Sequence, residues 1–177
     1  MKKYFLRVSI ILSSVFYYNA TAQVFSLKVD GKFMNGKVTE AVIINLGLTD
    51  YLQIRAESED KIVYLYCKAD ALKGEAPVKL KFREPNYEKG EKPDSELIWV
   101  PEGPDNPQWN SISGETDIIE HDPINKTISG TFEFVVEKFQ YSSKANKKRL
   151  SAVITNGIFS NVQYRIEEKK EGSTEFD

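Results

Sequence analysis

Tyr87, Trp99 and Trp109 fall within the stretch from Pro77 to Pro123, which holds all seven prolines of the chain. Exposed tyrosine and tryptophan can stack on the apolar face of a sugar or anchor a protein partner, because each joins a flat apolar body to a polar tip. These three are the candidate ligand contacts. Trp99 also reads as a core residue, since it sits within the apolar run "LIWV"; Trp109, in "NPQWNS", belongs to a loop, where burial is harder to arrange. A second constellation, Asp117, Glu120, Asp122 and Asn125, supplies the oxygen ligands that calcium takes. Its spacing does not match an EF-hand loop, and Asp-Pro followed by Asn is ordinary turn chemistry.

Other chemistries lack their residues. A zinc site needs a cluster of Cys and His, and the chain has one of each, Cys67 and His121, 54 positions apart. A nucleophilic thiol would want a histidine partner. Cys67 instead lies in "KIVYLYCKA", apolar on both faces, and reads as a small buried hydrophobe. There is no G-x-S-x-G elbow and no phosphate-binding glycine loop. Hence no catalytic residue and no cofactor is expected. One enzyme class survives as the alternative: a carbohydrate-active hydrolase, which requires only two carboxylates across a cleft. Most of the 26 acidic residues, such as Glu84, Glu88 and Glu91, sit in charge-mixed loops and read as solvated surface.

Any such residues must be positioned after export. "MKKYFLRVSIILSSVFYYNATAQ" has a positive start, an apolar run from Val8 to Tyr18 and the small-residue site Ala20-Thr21-Ala22, the layout of a secretory signal peptide spanning 1–22. The apolar run is shorter than the roughly 20 residues of a membrane-spanning helix. No cysteine stands at the cleavage point to take a lipid. A periplasmic or extracellular protein without N-terminal lipid or transmembrane anchor is expected. Removing the segment leaves 21 basic against 26 acidic residues, a net of −5. That balance argues against nucleic acid as a partner; a glycan or an envelope protein fits better.

The elements that remain alternate with period two. "VFSLKV" (24–29) runs into Asp30-Gly31, a hairpin signal. "VTEAVIINLGL" (38–48), "YLQIRAES" (51–58), "KIVYLYCKA" (61–69), "PVKLKF" (77–82) and "ELIWV" (96–100) follow. One helical turn at Asp70–Leu72 is the most helix the chain allows. "SISGETDIIEHDPINKTISGTFEFVVEK" (111–138) contains Ile-Ser-Gly twice, and reads as a hairpin around a loop of about six residues, "HDPINK". Each glycine occupies a position where a side chain would otherwise pack, which predicts a bulge or a close approach. In the first strand Ile112, Gly114, Thr116 and Ile118 are expected on one face; in the second, Ile128, Gly130, Phe132, Phe134 and Val136. The closing strands carry Leu150, Ala152 and Ile154, then Val162, Tyr164 and Ile166, with Asn156-Gly157 as a turn or bulge.

About nine short strands with little or no helix predict one all-β domain over 23–167, an antiparallel β-sandwich or barrel. Irregular proline-rich loops at 83–96 and 101–111 interrupt it, and a charged tail follows at 168–177. Long loops in compact domains are often functional, so a binding or structural interaction role without catalysis is the leading expectation.

Three segments, "FSLKVDGKF", "KTISGTFEFVVE" and "SAVITNGIF", resemble a domain of unknown function common in small secreted proteins and lipoproteins of the Bacteroidota. Its members open on a strand leading to an Asn-Gly or Asp-Gly turn and close with an I-x-G-T-F-x-F strand and a T-N-G-x-F strand. The resemblance spans most of 24–160 and implies a β-sandwich-like fold with no established activity. The chain departs from the pattern in lacking a lipobox cysteine and in replacing a central glycine-tyrosine strand start with "KGEAPVKLKF".

Overall fold

The computed structural model describes residues 22–86, 92–138 and 149–167. The signal segment, apart from Ala22, as well as Tyr87 and the 168–177 tail, lies outside the described residues. Ten strands follow in chain order: β1 (Val24–Val29), β2 (Lys32–Asn45), β3 (Asp50–Ser58), β4 (Lys61–Lys68), β5 (Val78–Lys81), β6 (Ser95–Val100), β7 (Trp109–Asp122), β8 (Thr127–Lys138), β9 (Ser151–Gln163) and β10 (Arg165–Ile166). Among the described residues the one helical element is a 3₁₀ turn at Ala69–Lys73, where a single turn is expected.

Eight of these strands, β1-β2-β3-β4-β6-β7-β8-β9, pair in succession, and β9 returns to pair with β1. The result is a closed antiparallel up-and-down barrel rather than a sandwich. Closure removes the exposed strand edges that an open sheet must protect. The two remaining strands lie outside the circuit: β5 pairs with β7, and β10 pairs with β2 in parallel. The strands are also longer than expected. β2, β7, β8 and β9 run 12–14 residues each, because glycine and asparagine positions that look like breaks are accommodated within the ladders. β2 begins at Lys32, directly after a two-residue turn in which Asp30 and Gly31 both have positive φ, 48° and 79°, the geometry that matches strand twist.

Inward-facing side chains fill the barrel. Leu27, Leu52, Ile54, Val63, Leu65, Cys67, Leu97, Val136, Ile154 and Phe159 are fully buried, as expected of a small barrel whose lumen just holds its own side chains. Burial pushes the Cys67 thiol up to about 12, so it is the neutral small hydrophobe that its sequence context implies.

The two Ile-Ser-Gly segments do not pair with each other. Gly114 lies opposite Phe134, Gly130 opposite Phe159, and Gly157 opposite Phe132. A Cβ on Gly114, Gly130 or Gly157 would come within 2.3–2.5 Å of its phenylalanine ring. The glycines are therefore seats for cross-strand rings, and Gly130 and Gly157 also stand at register shifts. The bulge at Ser111/Ser113 alters one expectation. Ile112 turns outward, 45% exposed, while Ser111, Thr116 and Ile118 point in. Asn156-Gly157 is a bulge within continuous β9, and the turn after β7 has four residues rather than six, because His121 and Asp122 remain in the ladder.

Candidate functional site

The barrel wall is split in one place. β6 and β7 share only two register pairs, Ile98↔Asn110 and Trp99↔Trp109. Beyond them the strands diverge, and the edge of β7 passes to β5, which pairs from Lys81↔Glu115 to Val78↔Ile118. Serine and threonine hydroxyls bridge the gap. The Leu97 N–H donates to Ser111 Oγ at 2.8 Å, and that hydroxyl donates to the Leu97 carbonyl at 2.7 Å. Ser95 Oγ and Thr116 Oγ1 lie 2.8 Å apart. Backbone groups that would otherwise be buried without partners are satisfied this way.

Outside the split lies a cleft of about 400 Å³. Its floor is the outer face of the wall: Tyr66 on β4, Glu96 and Ile98 on β6, and Asn110 on β7. Phe82 and Pro85, which follow β5, form one side, with Lys92 and Pro93 ahead of β6. Leu46, Tyr51 and Gln108 complete the rim. The segment before β6 is fastened to the barrel at several points. The Tyr51 hydroxyl donates to the Pro93 carbonyl at 2.6 Å, and Lys92 Nζ donates to the Leu46 carbonyl at 2.6 Å. The Lys68 N–H donates to the Asp94 carbonyl at 2.9 Å, while the Asp94 carboxylate lies 3.6 Å from Lys68 and 3.5 Å from Arg83.

One prediction arises from this fastening. Tyr51→Phe should cost about 0.5–1.5 kcal/mol, the net contribution of one hydrogen bond, and loosen the proline-rich segment locally. Amide exchange at Lys68, whose N–H bonds Asp94, should accelerate in the variant. An unchanged Lys68 exchange rate would show that the hydroxyl does not hold the segment.

The electrostatics centre on Glu96. Burial raises its carboxyl above the ordinary carboxylate value, and Lys92 nearby opposes that rise. Among the described residues the carboxylate takes no hydrogen bond and no ion pair; its electrostatic neighbours are Lys92, Tyr51 and Tyr66. Tyr66 and Tyr51 are each pushed up to about 12, first by burial and then by the charge of Glu96. Both phenols are neutral donors at physiological pH. Gln108 Nε2 donates to Asn110 Oδ1 at 2.8 Å, so the two amides are held as a pair. Together these groups offer acceptors, donors and ring faces for binding.

Both tryptophans lie on strands, Trp109 opening β7 where a loop is expected. Trp99 is 9% exposed and faces the barrel interior. Trp109 is partly buried against the core, edge-on to Trp99 with ring centroids 5.5 Å apart. Their adjacent residues, Ile98, Gln108 and Asn110, are the ones that reach the cleft. Neither indole N–H has a hydrogen-bond partner among the described residues. Tyr66 and Glu96 escaped notice for separate reasons. "KIVYLYCKA" reads as apolar on both faces, yet Tyr64 and Tyr66 form an outer, half-buried row, with ring centroids 6.5 Å apart. Glu96 reads as the junction of a loop (83–96) and a strand (96–100), and β6 begins one residue earlier, at Ser95. The missed signal is the alternation of Tyr64 and Tyr66 with Val63, Leu65 and Cys67.

The oxygen-rich group at the β7–β8 turn is dispersed. Asp122 accepts hydrogen bonds from the N–H groups of Ile124 and Asn125 and from Asn125 Nδ2, which lower its pKa. Asp117 lies 3.4 Å from Lys79 on β5. Among the described residues no group of three or more His, Cys, Asp or Glu side chains converges as a metal site, and no helix is long and apolar enough to cross a membrane.

Comparison with protein families, with curated proteins and with solved structures finds no match to this chain.

Proposed function

We propose that this protein is a non-catalytic binding domain of the cell envelope or extracellular space, and that its ligand occupies the cleft at the β6–β7 split. The observation that carries the reading is Glu96, a half-buried carboxylate with no hydrogen-bond or ion-pair partner among the described residues, set in an aromatic-lined hollow of ligand size. Small-molecule sites are typically hollows of about 300–1,000 Å³ with a few convergent polar groups on apolar walls. The signal-like N-terminus supports the location, as does the resemblance to secreted Bacteroidota proteins. The two-carboxylate hydrolase is the weaker reading, because among the described residues Glu96 is the one carboxylate that lines the cleft, and hydrolysis of that kind needs a second.

Asn110→Trp tests the proposal by filling the cleft from an outward-facing position of β7. Binding to envelope fractions, glycans and peptides should fall at least tenfold in the variant, with its thermal unfolding unchanged. A ligand that binds wild type and variant alike would place the site elsewhere. Turnover of a substrate that disappears with Glu96→Gln would replace binding by catalysis.

A further inference from the structure

We infer that the cleft recognises a neutral saccharide, one sugar face stacking on Tyr66 while its hydroxyls bond Glu96, Gln108 and Asn110. The inference rests on the binding role proposed above and names its ligand class.

Charge selects first. The described lining holds one acid, Glu96, and one base, Lys92, and so favours neither ionic sign. Lys92 is already committed to the Leu46 carbonyl. An anionic ligand would meet Glu96, which burial already makes costly to keep ionised. A cationic ligand would gain from Glu96 but meet the Lys92 ammonium in the same cleft. A neutral polyol avoids both penalties.

Hydrogen bonding selects next. An ionised carboxylate only accepts, and a carboxamide pair presents both donors and acceptors. With Gln108 Nε2 bonded to Asn110 Oδ1, Gln108 Oε1 is left as an acceptor and Asn110 Nδ2 as a donor. Neighbouring hydroxyls of a sugar both donate and accept, so they can satisfy this mixed set together with Glu96. Bonds to a charged acceptor are the strong ones.

Shape selects last. Tyr66 stands directly opposite Glu96 in the β4–β6 register, so a ring on the tyrosine would present its edge hydroxyls towards the carboxylate. Tyr64 backs Tyr66 in a near-parallel arrangement, 20° between planes, which holds the platform in place. A volume of about 400 Å³ suits a saccharide end better than a long chain segment.

The test titrates the purified exported protein with a panel of neutral oligosaccharides that covers hexoses, N-acetylhexosamines, deoxyhexoses and pentoses in both anomeric linkages. A diamine and a uronic-acid disaccharide serve as charged probes. Expected is binding of at least one neutral saccharide, with affinity changing less than twofold between 50 and 500 mM NaCl. Glu96→Gln should weaken it at least tenfold and Tyr66→Ala should abolish it, while Tyr66→Phe, which keeps the ring, should stay within threefold. Failure of every neutral saccharide overturns the inference. So does preferred binding of either charged probe with affinity that falls steeply with salt. If the charged probe's binding is lost in Asn110→Trp, the cleft stands and only the ligand class falls. If no probe of any class is affected by Asn110→Trp, both fall.

Discussion

Phe132→Ala is expected to destabilise the barrel by about 3–5 kcal/mol, the usual range for truncating a buried phenylalanine. Phe132 is 4% exposed and sits at the centre of the aromatic part of the core. Its ring centroid lies 5.4 Å from that of Phe25, 6.5 Å from Phe134 and 6.4 Å from Phe159. Those three rings lose contacts together, and their positions are fixed by four different ladders, so the surroundings have little freedom to collapse into the space. Chemical denaturation with the m-value monitored is the measurement. A loss below about 1.5 kcal/mol would show that the cluster relaxes.

Gly157→Ala should cost about 1–3 kcal/mol, by the opposite mechanism of overpacking. The added Cβ would lie 2.4–2.6 Å from three atoms of the Phe132 ring. The conflict is thus with one side chain and not with backbone. The two substitutions should accordingly be strongly non-additive, as contacting residues are. In the Phe132→Ala background, Gly157→Ala should become neutral or slightly stabilising, since alanine loses less chain entropy than glycine on folding. A double-mutant cycle with no coupling would refute the idea that the ring is seated on the glycine. By contrast, the same substitution at Gly130 meets the Asp117 carbonyl at 2.3 Å as well as the Phe159 ring, so truncating Phe159 should recover only part of its cost.

These glycines explain what the sequence made legible and what it hid. Period-two alternation in "TISGTFEFVVE" placed Ile128, Gly130, Phe132, Phe134 and Val136 on one face, and all five are buried. Glycine at a core-facing position implied a close approach, and a cross-strand phenylalanine provides it. Alternation failed where a bulge changed the count by one. At Ser111/Ser113 it sent Ile112 outward and brought Ser111 in, and Ser111 is the residue whose hydroxyl spans the wall split. The cleft therefore arises where local periodicity breaks, and a rule based on periodicity could not find it. Trp109 shows the same limit. Its place beside the cleft was legible from the proline-rich context, but its inward face was set by its pairing with Trp99.

The sequence by itself determined an all-β, antiparallel chain and its turn at Asp30-Gly31, because these depend on residues a few positions apart; which phenylalanine each glycine seats was decided across strands. Tertiary structure alone decided that the sheet closes. Closure rests on β1 pairing with β9, as in Val29↔Ile154, between segments at opposite ends of the domain. It also decided that the wall parts between β6 and β7, leaving Glu96 half-buried without a hydrogen-bond or ion-pair partner among the described residues. Hydrogen-bond partners so remote in sequence leave no local pattern, and burial of a single carboxylate is a property of the walls around it.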